Sequence, residues 1–540
     1  MGTNVQVKCK FIYRTSPFQP LPQPSQTASM EFQSLSVTLL FSFLLILIMM
    51  MKRGKWPTTQ NPIPKLPPGP WKLPIIGNMH HLLGPLPHRT LGKLAQKHGP
   101  IMHLMLGQVP TIVVSSPKMA KEVMKTHDLS FATRPRLLVA EILSYGCKAI
   151  AFTPYGDYWK QLRKICMIEL FNAKRFASLQ FVREEEALNS IHSIYASRNS
   201  PTNITEKIST FTNNVIARAT IGNKWKDREL FISELKEGFK LAGGLSVADL
   251  FPSLKFVPVI TGLKFRLERI HWKLDRMFND IIDEHKRESA TKETRTDVGG
   301  ADGEDLVDFF LRLQQDQYLE FPFTTDNIKA ILFDMFSGGT DSSAVTIEWA
   351  IAEMMKNPRV MEKAQAEVRQ ALKGKAKVEE NDTNQLNYLK LVIKETLRLH
   401  PPGPLLVPRE CREMCEIDGY EIPIKSRVII NVWAIGRDPQ HWDDPENFKP
   451  ERFEGSSIDY KGTHFELLPF GAGRRVCPAI PFGIANVVLL LAHLLYYFDW
   501  KLPNEMNGKD LDMTEVFGIT VHRRSNLYLI PIPHVPLPGE

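Results

Sequence analysis

The chain predicts a mainly α-helical protein behind an N-terminal membrane helix, and three stretches carry that prediction. Phe32 to Met51 holds no charge and is solidly apolar from Leu39 onward. Twenty helical residues reach about 30 Å, the thickness of a bilayer core. Thr324 to Lys356 reads as one long helix, with Thr324, Thr325 and Asp326 as cap candidates and Asn357-Pro358 as its end. Ile480 to Phe498 is a second long apolar run that reads as a helix.

Taken in order, residues 1–29 are polar, rich in proline and serine, and carry Lys8, Lys10 and Arg14 without an acid. A transit peptide has that kind of composition. The plainer reading, preferred here, is a dispensable leader with the working start at Met30. Residues 30–55 then form the anchor and its basic stop, because Lys52, Arg53 and Lys55 place the C-terminal side in the cytosol. The segment lacks a small-residue cleavage site, which argues against a cleaved signal. Residues 56–74 are a proline-rich hinge containing Asn61-Pro-Ile-Pro-Lys-Leu-Pro-Pro-Gly-Pro-Trp71, stiff by composition. Residues 75–540 are one catalytic unit. Within it, Arg287 to Asp305 is charged and glycine-containing and reads as a surface loop.

A formal charge of +8 and a pI near 9.0 suit an anionic membrane surface or an acidic partner. No basic run is interleaved with aromatics, so nucleic acid is not the partner. The six cysteines (9, 147, 166, 411, 415 and 477) are scattered, which is no disulfide framework and fits a reducing compartment. Cys411 and Cys415 lack the second His or Cys pair that zinc requires. Asn203-Ile-Thr205 and Asn381-Asp-Thr383 match the glycosylation pattern but would stay unmodified in the cytosol.

The chemistry centres on Pro469-Phe-Gly-Ala-Gly-Arg-Arg-Val-Cys477-Pro-Ala479. Cys477 follows a glycine-bearing loop and precedes Pro478, which suits the first helical position. A helix N-terminus and the charges of Arg474 and Arg475 favour a thiolate there. A thiolate so held suits an iron ligand, although a free cysteine on its own is most often a small buried hydrophobe. Trp159 and Arg163 lie four apart on one helical face, and Glu395 and Arg398 three apart. Gly338-Gly339 interrupts the long helix at a cost of about 1 kcal/mol per glycine, so the pair wants a reason. A small-residue helix crossing is the ordinary one.

The Cys477 stretch resembles the haem-binding loop of cytochromes P450. Five positions match (Pro469, Phe470, Gly473, Arg475 and Cys477), a pattern expected by chance about 10⁻⁴ times in a chain this long. Ala479 stands where the family nearly always has glycine. The resemblance extends from about residue 62 to the end. It implies the P450 fold, mainly α with a small β-rich part, and haem b with its iron axially ligated by Cys477. It implies that Phe470 belongs to the cofactor site, and that Trp159, Arg163, Arg409 and Arg475 serve the haem propionates. It also implies that the long helix loosens at Gly338-Gly339, beside an acid and an alcohol, Asp341 and Ser342, that relay protons during oxygen activation. The family usually has alanine at the position of Gly338 and threonine at that of Ser342. Glu395, Arg398 and the Arg452 of Pro450-Glu-Arg-Phe453 would form a buried structural charge network.

By the same resemblance, Leu137 to Val139, Ile142-Leu143, the helix around Phe333, Leu405 to Val407 and Phe517 to Thr520 line an apolar pocket for a neutral lipophilic substrate. Asp334, one turn before Gly338, would anchor a substrate amine or merely meet solvent or backbone. Phe131-Ala-Thr-Arg-Pro135, Tyr155-Gly-Asp-Tyr-Trp159 and Phe517-Gly-Ile-Thr520 narrow the likeness to plant microsomal P450s of the group that includes terpene hydroxylases. The implied activity is monooxygenation of a lipophilic metabolite by O2, with electrons from NADPH through NADPH–cytochrome P450 reductase. A terpenoid is the leading substrate, ahead of an alkaloid, phenolic or fatty acid. A reductase-independent isomerase or dehydratase and a non-enzymatic haem protein are the other classes. The implied location is the endoplasmic reticulum membrane, single-pass, in contact with lipid, with the catalytic domain facing the cytosol.

Overall fold

The structure is a computed structural model that describes residues 65–222, 228–242, 246–293, 305–316, 321–375 and 377–537. The leader, the membrane segment and the first part of the hinge lie outside the described residues. The elements that position the site are helices α1 (Pro87–His98), α2 (Asp157–Ile165), α3 (Ile204–Ile221), α4 (Thr325–Lys356), α5 (Asn387–Leu399) and α6 (Ile480–Tyr497). Strands β1 (Ile101–Leu106), β2 (Val109–Val114), β3 (Arg409–Glu410) and β4 (Arg427–Ile430) make a four-stranded sheet in the order β1-β2-β4-β3. A separate hairpin pairs β5 (Glu515–Val516) with β6 (His522–Arg523).

Helix α4 runs 32 residues, about 48 Å at 1.5 Å per residue. The Asn327 side-chain oxygen accepts from the Thr324 N–H at 2.7 Å and closes its first turn. It stops at Asn357, before Pro358, which opens the next helix. Its residues Ile328, Ile331, Ile347 and Ile351 are fully buried, so it forms the spine of the main core. It packs most extensively on α3 and also on α6. In the sheet, β2 runs antiparallel to β1 and parallel to β4, with Thr111 opposite Arg427. Edge strand β3 places Arg409 opposite Val428, fixing the arginine at the sheet margin.

The Glu395 network is assembled as the resemblance implied. Both Glu395 oxygens accept from Arg398, at 2.7 and 2.8 Å, and Arg452 Nε reaches the same carboxylate at 3.0 Å. Arg398 also donates to the carbonyls of Gly436, Pro445 and Asn447, so all five of its N–H donors have acceptors. Glu395 and Arg398 are fully buried, and this saturation makes their burial tolerable.

Three sequence expectations are corrected. Pro478 is not the first helical residue: α6 opens at Ile480, and Pro481 takes the first-turn position. Arg287 to Glu293 is not loop, because the helix Leu263–Glu293 continues through it on good helix formers. Helix α4 does not loosen at Gly338-Gly339 but runs through both without a break. The two glycines differ in their surroundings. A methyl on Gly339 would lie 2.4 Å from Ile216 Cδ1 of α3, whereas one on Gly338 meets nothing within 4 Å. Gly339 is therefore the small residue of a helix crossing, and Gly338 leaves open space.

Candidate active site

The Cys477 loop is held by its own backbone and by one acid. The Cys477 N–H donates to the Phe470 carbonyl at 3.0 Å, drawing the loop closed over a φ of +70° at Gly473. A methyl there would also strike the Met124 carbonyl at 2.2 Å, so only glycine fits. Asp128 accepts from the Arg474 N–H at 2.9 Å and from Arg409 Nη1 at 3.3 Å, pinning the loop to β3. Phe470 lies edge-on to Tyr460, with ring centroids 5.6 Å apart. Burial raises the Cys477 thiol above its usual range, while the Ala479 N–H and Arg163 pull it back. A bound cation would supply the missing compensation. Pro478 lies outside the helix, directly before its N-cap Ala479.

Around this loop the structure gathers four arginines. Arg475 stacks over Trp159, its guanidinium carbon 4.2 Å from the ring, and donates to the carbonyls of Ala132, Ile150 and Thr153. Arg409 donates to the Ala472 carbonyl at 2.9 Å. Arg134 donates to the carbonyls of Val407, Pro408 and Ala151. Arg163 stands over the other neighbourhood of Trp159 at 6.0 Å and has no acid partner among the described residues. The Trp159 N–H donates to the Ile150 carbonyl at 3.2 Å. Burial pulls Arg134 well down, with Arg475 and Arg409 adding to it. Burial, then Arg409 and Arg163, pull Arg475 down to about 9, still cationic at neutral pH. Asp128 is the one carboxylate paired within this group. A buried excess of positive charge with spare N–H donors fits a ligand bearing carboxylates, and haem with its two propionates is such a ligand.

Helix α4 faces the loop helix across Gly483, where an added methyl would lie 3.7 Å from Ser343 Oγ. Ser342 does not bond Asp341. Its hydroxyl donates to the Gly338 carbonyl at 2.8 Å, one turn back along the helix. The Asp341 carboxylate turns to the hairpin, accepting from the Thr520 hydroxyl and lying 3.0 Å from His522 Nε2. Burial would raise Asp341, but His522 and Thr520 outweigh it and hold the acid below its usual range. Asp334 meets backbone: it accepts from the Ala151 N–H at 2.9 Å, and burial raises it to about 7. The segments expected to line the pocket contribute to three apolar clusters. Leu143 and Phe333 belong to the main core, while Leu405 and Leu406 pack on two other apolar clusters.

Asp128, Arg134 and His522 were not singled out from sequence. Arg134 lies inside the family-like stretch Phe131 to Pro135, whereas Asp128 and His522 carry no local signal. Each acts across more than a hundred residues of chain.

Residues 67–530 match the family model described as Cytochrome P450. The chain belongs to the cytochrome P450 family. This P450 is 54% identical to premnaspirodiene oxygenase of Hyoscyamus muticus over 94% of its own length and 99% of that protein. It is likewise 54% identical to desmethyl-deoxy-podophyllotoxin synthase of Sinopodophyllum hexandrum, over 93% and 97%. A zebrafish cytochrome P450 solved with progesterone superposes with a TM-score of 0.70 at 25% identity, over 83% of this chain and 99% of that one. The chain is thus a plant-type P450 monooxygenase with a haem-thiolate cofactor, in a family that draws electrons from NADPH through a redox partner. Thiolate-ligated haem supplies the activation of dioxygen, one atom entering the substrate and the other leaving as water.

Proposed function

We propose that this P450 oxidises a lipophilic terpenoid at the endoplasmic reticulum membrane, with Cys477 as the axial ligand of its haem. The observation that carries the cofactor assignment is the cation-rich cluster of Arg134, Arg163, Arg409 and Arg475 around the one loop that presents Cys477. Arg163 and Arg475 offer donors to the propionates, both guanidinium groups lie near the Trp159 ring, at 6.0 and 4.2 Å, and Phe470 packs against Tyr460. Cys477→Ser should abolish the red-shifted spectrum of the reduced carbon monoxide complex, and a retained spectrum would refute the ligand. On the opposite side, Asp341 and Ser342 hold and hand on protons, and the open space at Gly338 admits oxygen and water.

The terpenoid class rests on the likeness to premnaspirodiene oxygenase. The equal identity to desmethyl-deoxy-podophyllotoxin synthase supports a phenolic substrate as the second reading. Co-expression with a plant NADPH–cytochrome P450 reductase and a panel of terpene scaffolds, read by mass spectrometry, tests the first. Products from phenolic scaffolds alone would favour the second.

Membrane attachment is supported by the uncharged run 32–51 and by exposed apolar side chains on the described unit. Phe256, Val259 and Ile260 project from one short segment, and Phe265 and Trp272 lie seven apart on the next helix. The order is then leader 1–29, anchor 30–55, hinge 56–74 and catalytic domain 75–540. Protein beginning at Met30 should reach the membrane fraction with full activity; loss of either would make the leader functional.

A further inference from the structure

The substrate-side hairpin and the acid of helix α4 meet at one contact. Between β5 and β6 the chain passes through Phe517 to Val521 and returns with His522 against Asp341. The imidazole is 40% exposed while the carboxylate is 13% exposed, so the pair bridges solvent and interior. Thr520 Oγ1 lies 3.0 Å from His522 Nε2 and donates to the same carboxylate oxygen, closing a three-membered polar cluster. The hairpin also has anchors of its own. Its base is clamped by Glu515 to Arg89 at 2.8 Å and to His88 at 3.1 Å. Its tip is tied by the Val521 N–H to Pro402 and by the Trp349 indole to the Val521 carbonyl. A contact open to water on one side is what a proton entry requires.

We propose that His522 is the residue through which protons enter from solvent to Asp341. The proposal rests on the reading of Asp341 as the proton-holding acid. In the step, the Nε2–H bond of the imidazolium breaks as an O–H bond forms on Asp341 Oδ2, and the neutral imidazole, still carrying Nδ1–H, is reprotonated at Nε2 as an O–H bond of solvent hydronium breaks and leaves water. Ser342, next in the chain, and water carry it inward. Histidine suits the task because its charge changes near neutral pH. The groups facing His522 are Asp341 and Glu348 from α4 and Lys236 from the helix Arg228–Ala242. Burial lowers the imidazole, but its bond to Asp341 and the two carboxylates prevail and raise it above its usual value.

The signs follow from linkage. The imidazole's contribution to stability is complete below its unfolded value near 6.5 and is lost as pH rises through the raised folded value. The acid's contribution is present above about 3.8 and is lost as pH falls through its lowered value. Proton supply through His522 should therefore fade on the alkaline side.

The test compares Asp341→Asn and His522→Gln in the haem-loaded enzyme with reductase and substrate across pH 6 to 9. Labelling of His522 by diethyl pyrocarbonate in the parent enzyme and amide exchange over 515–523 are measured alongside. Asp341→Asn should lower turnover about 100-fold. His522→Gln should lower it about tenfold at neutral pH, since water still reaches the acid, and should flatten the alkaline fall. The labelling midpoint of His522 should coincide with that fall, and hairpin exchange should not change. An alkaline fall that survives in His522→Gln, or that vanishes together with increased hairpin exchange, overturns the proposal. Normal turnover of Asp341→Asn would instead sink the reading of Asp341 on which it rests.

Discussion

Two clusters of buried and half-buried arginine among the described residues are balanced differently. Around Glu395, two arginines share one carboxylate, and every donor of Arg398 ends on an acceptor supplied by the protein. Around Cys477, only Arg409 of the four arginines pairs with an acid, Asp128; Arg134 and Arg475 end on backbone carbonyls, and Arg163 has no acid among the described residues. Burying charge is costly unless it is paired and hydrogen-bonded. The first cluster meets that cost within the fold and is structural. The second remains cationic, as the proposed haem-propionate site requires. A charge imbalance thus separates a scaffold from a site where composition alone would not.

Breaking the balanced cluster should have the largest effect. Glu395→Ala leaves Arg398 and Arg452 facing each other in the interior and should cost about 3–5 kcal/mol, enough to lose most folded protein. Expression yield and thermal unfolding check it, and a haem-free preparation should suffer as badly as a loaded one.

Arg163→Ala sharpens the contrast. It removes no protein hydrogen bond, so unfolding should shift by about 1 kcal/mol or less, mainly from the lost Trp159 contact. Haem retention should fall roughly ten- to a hundredfold, the worth of one charge-assisted bond of about 1.5–3 kcal/mol. Equal loss of stability and of haem would erase the distinction between the clusters.

The glycine pair gives a smaller effect on the opposite face. Gly339→Ala meets Ile216 of α3 and should destabilise by about 1 kcal/mol or more despite the gain in helix propensity. Gly338→Ala meets nothing and should stabilise by up to about 1 kcal/mol, measurable by thermal melts. Smallest is Ser342→Thr. The added methyl restricts χ1 and narrows the space beside Gly338, so product formed per NADPH consumed should rise. Unchanged or poorer coupling would show that packing there already limits water.

Much was legible without coordinates because it is local. The Cys477 loop, the caps of the 32-residue helix, the i,i+4 pair of Trp159 and Arg163 and the i,i+3 pair of Glu395 and Arg398 depend on spacings of a few residues, which backbone geometry converts directly into position. What tertiary structure alone decided is where side chains end when several acceptors compete. Asp341 turned from Ser342 to a hairpin 181 residues away, and Asp334 went to the loop backbone rather than to a pocket. The helix start moved from Pro478 to Ile480, with Ala479 as its N-cap and Pro481 in its first turn. Gly338 and Gly339 are identical in sequence yet differ by whether α3 lies opposite. Burial and partner choice are properties of the packed assembly, set by desolvation and by contacts between distant segments, so no window along the chain contains them.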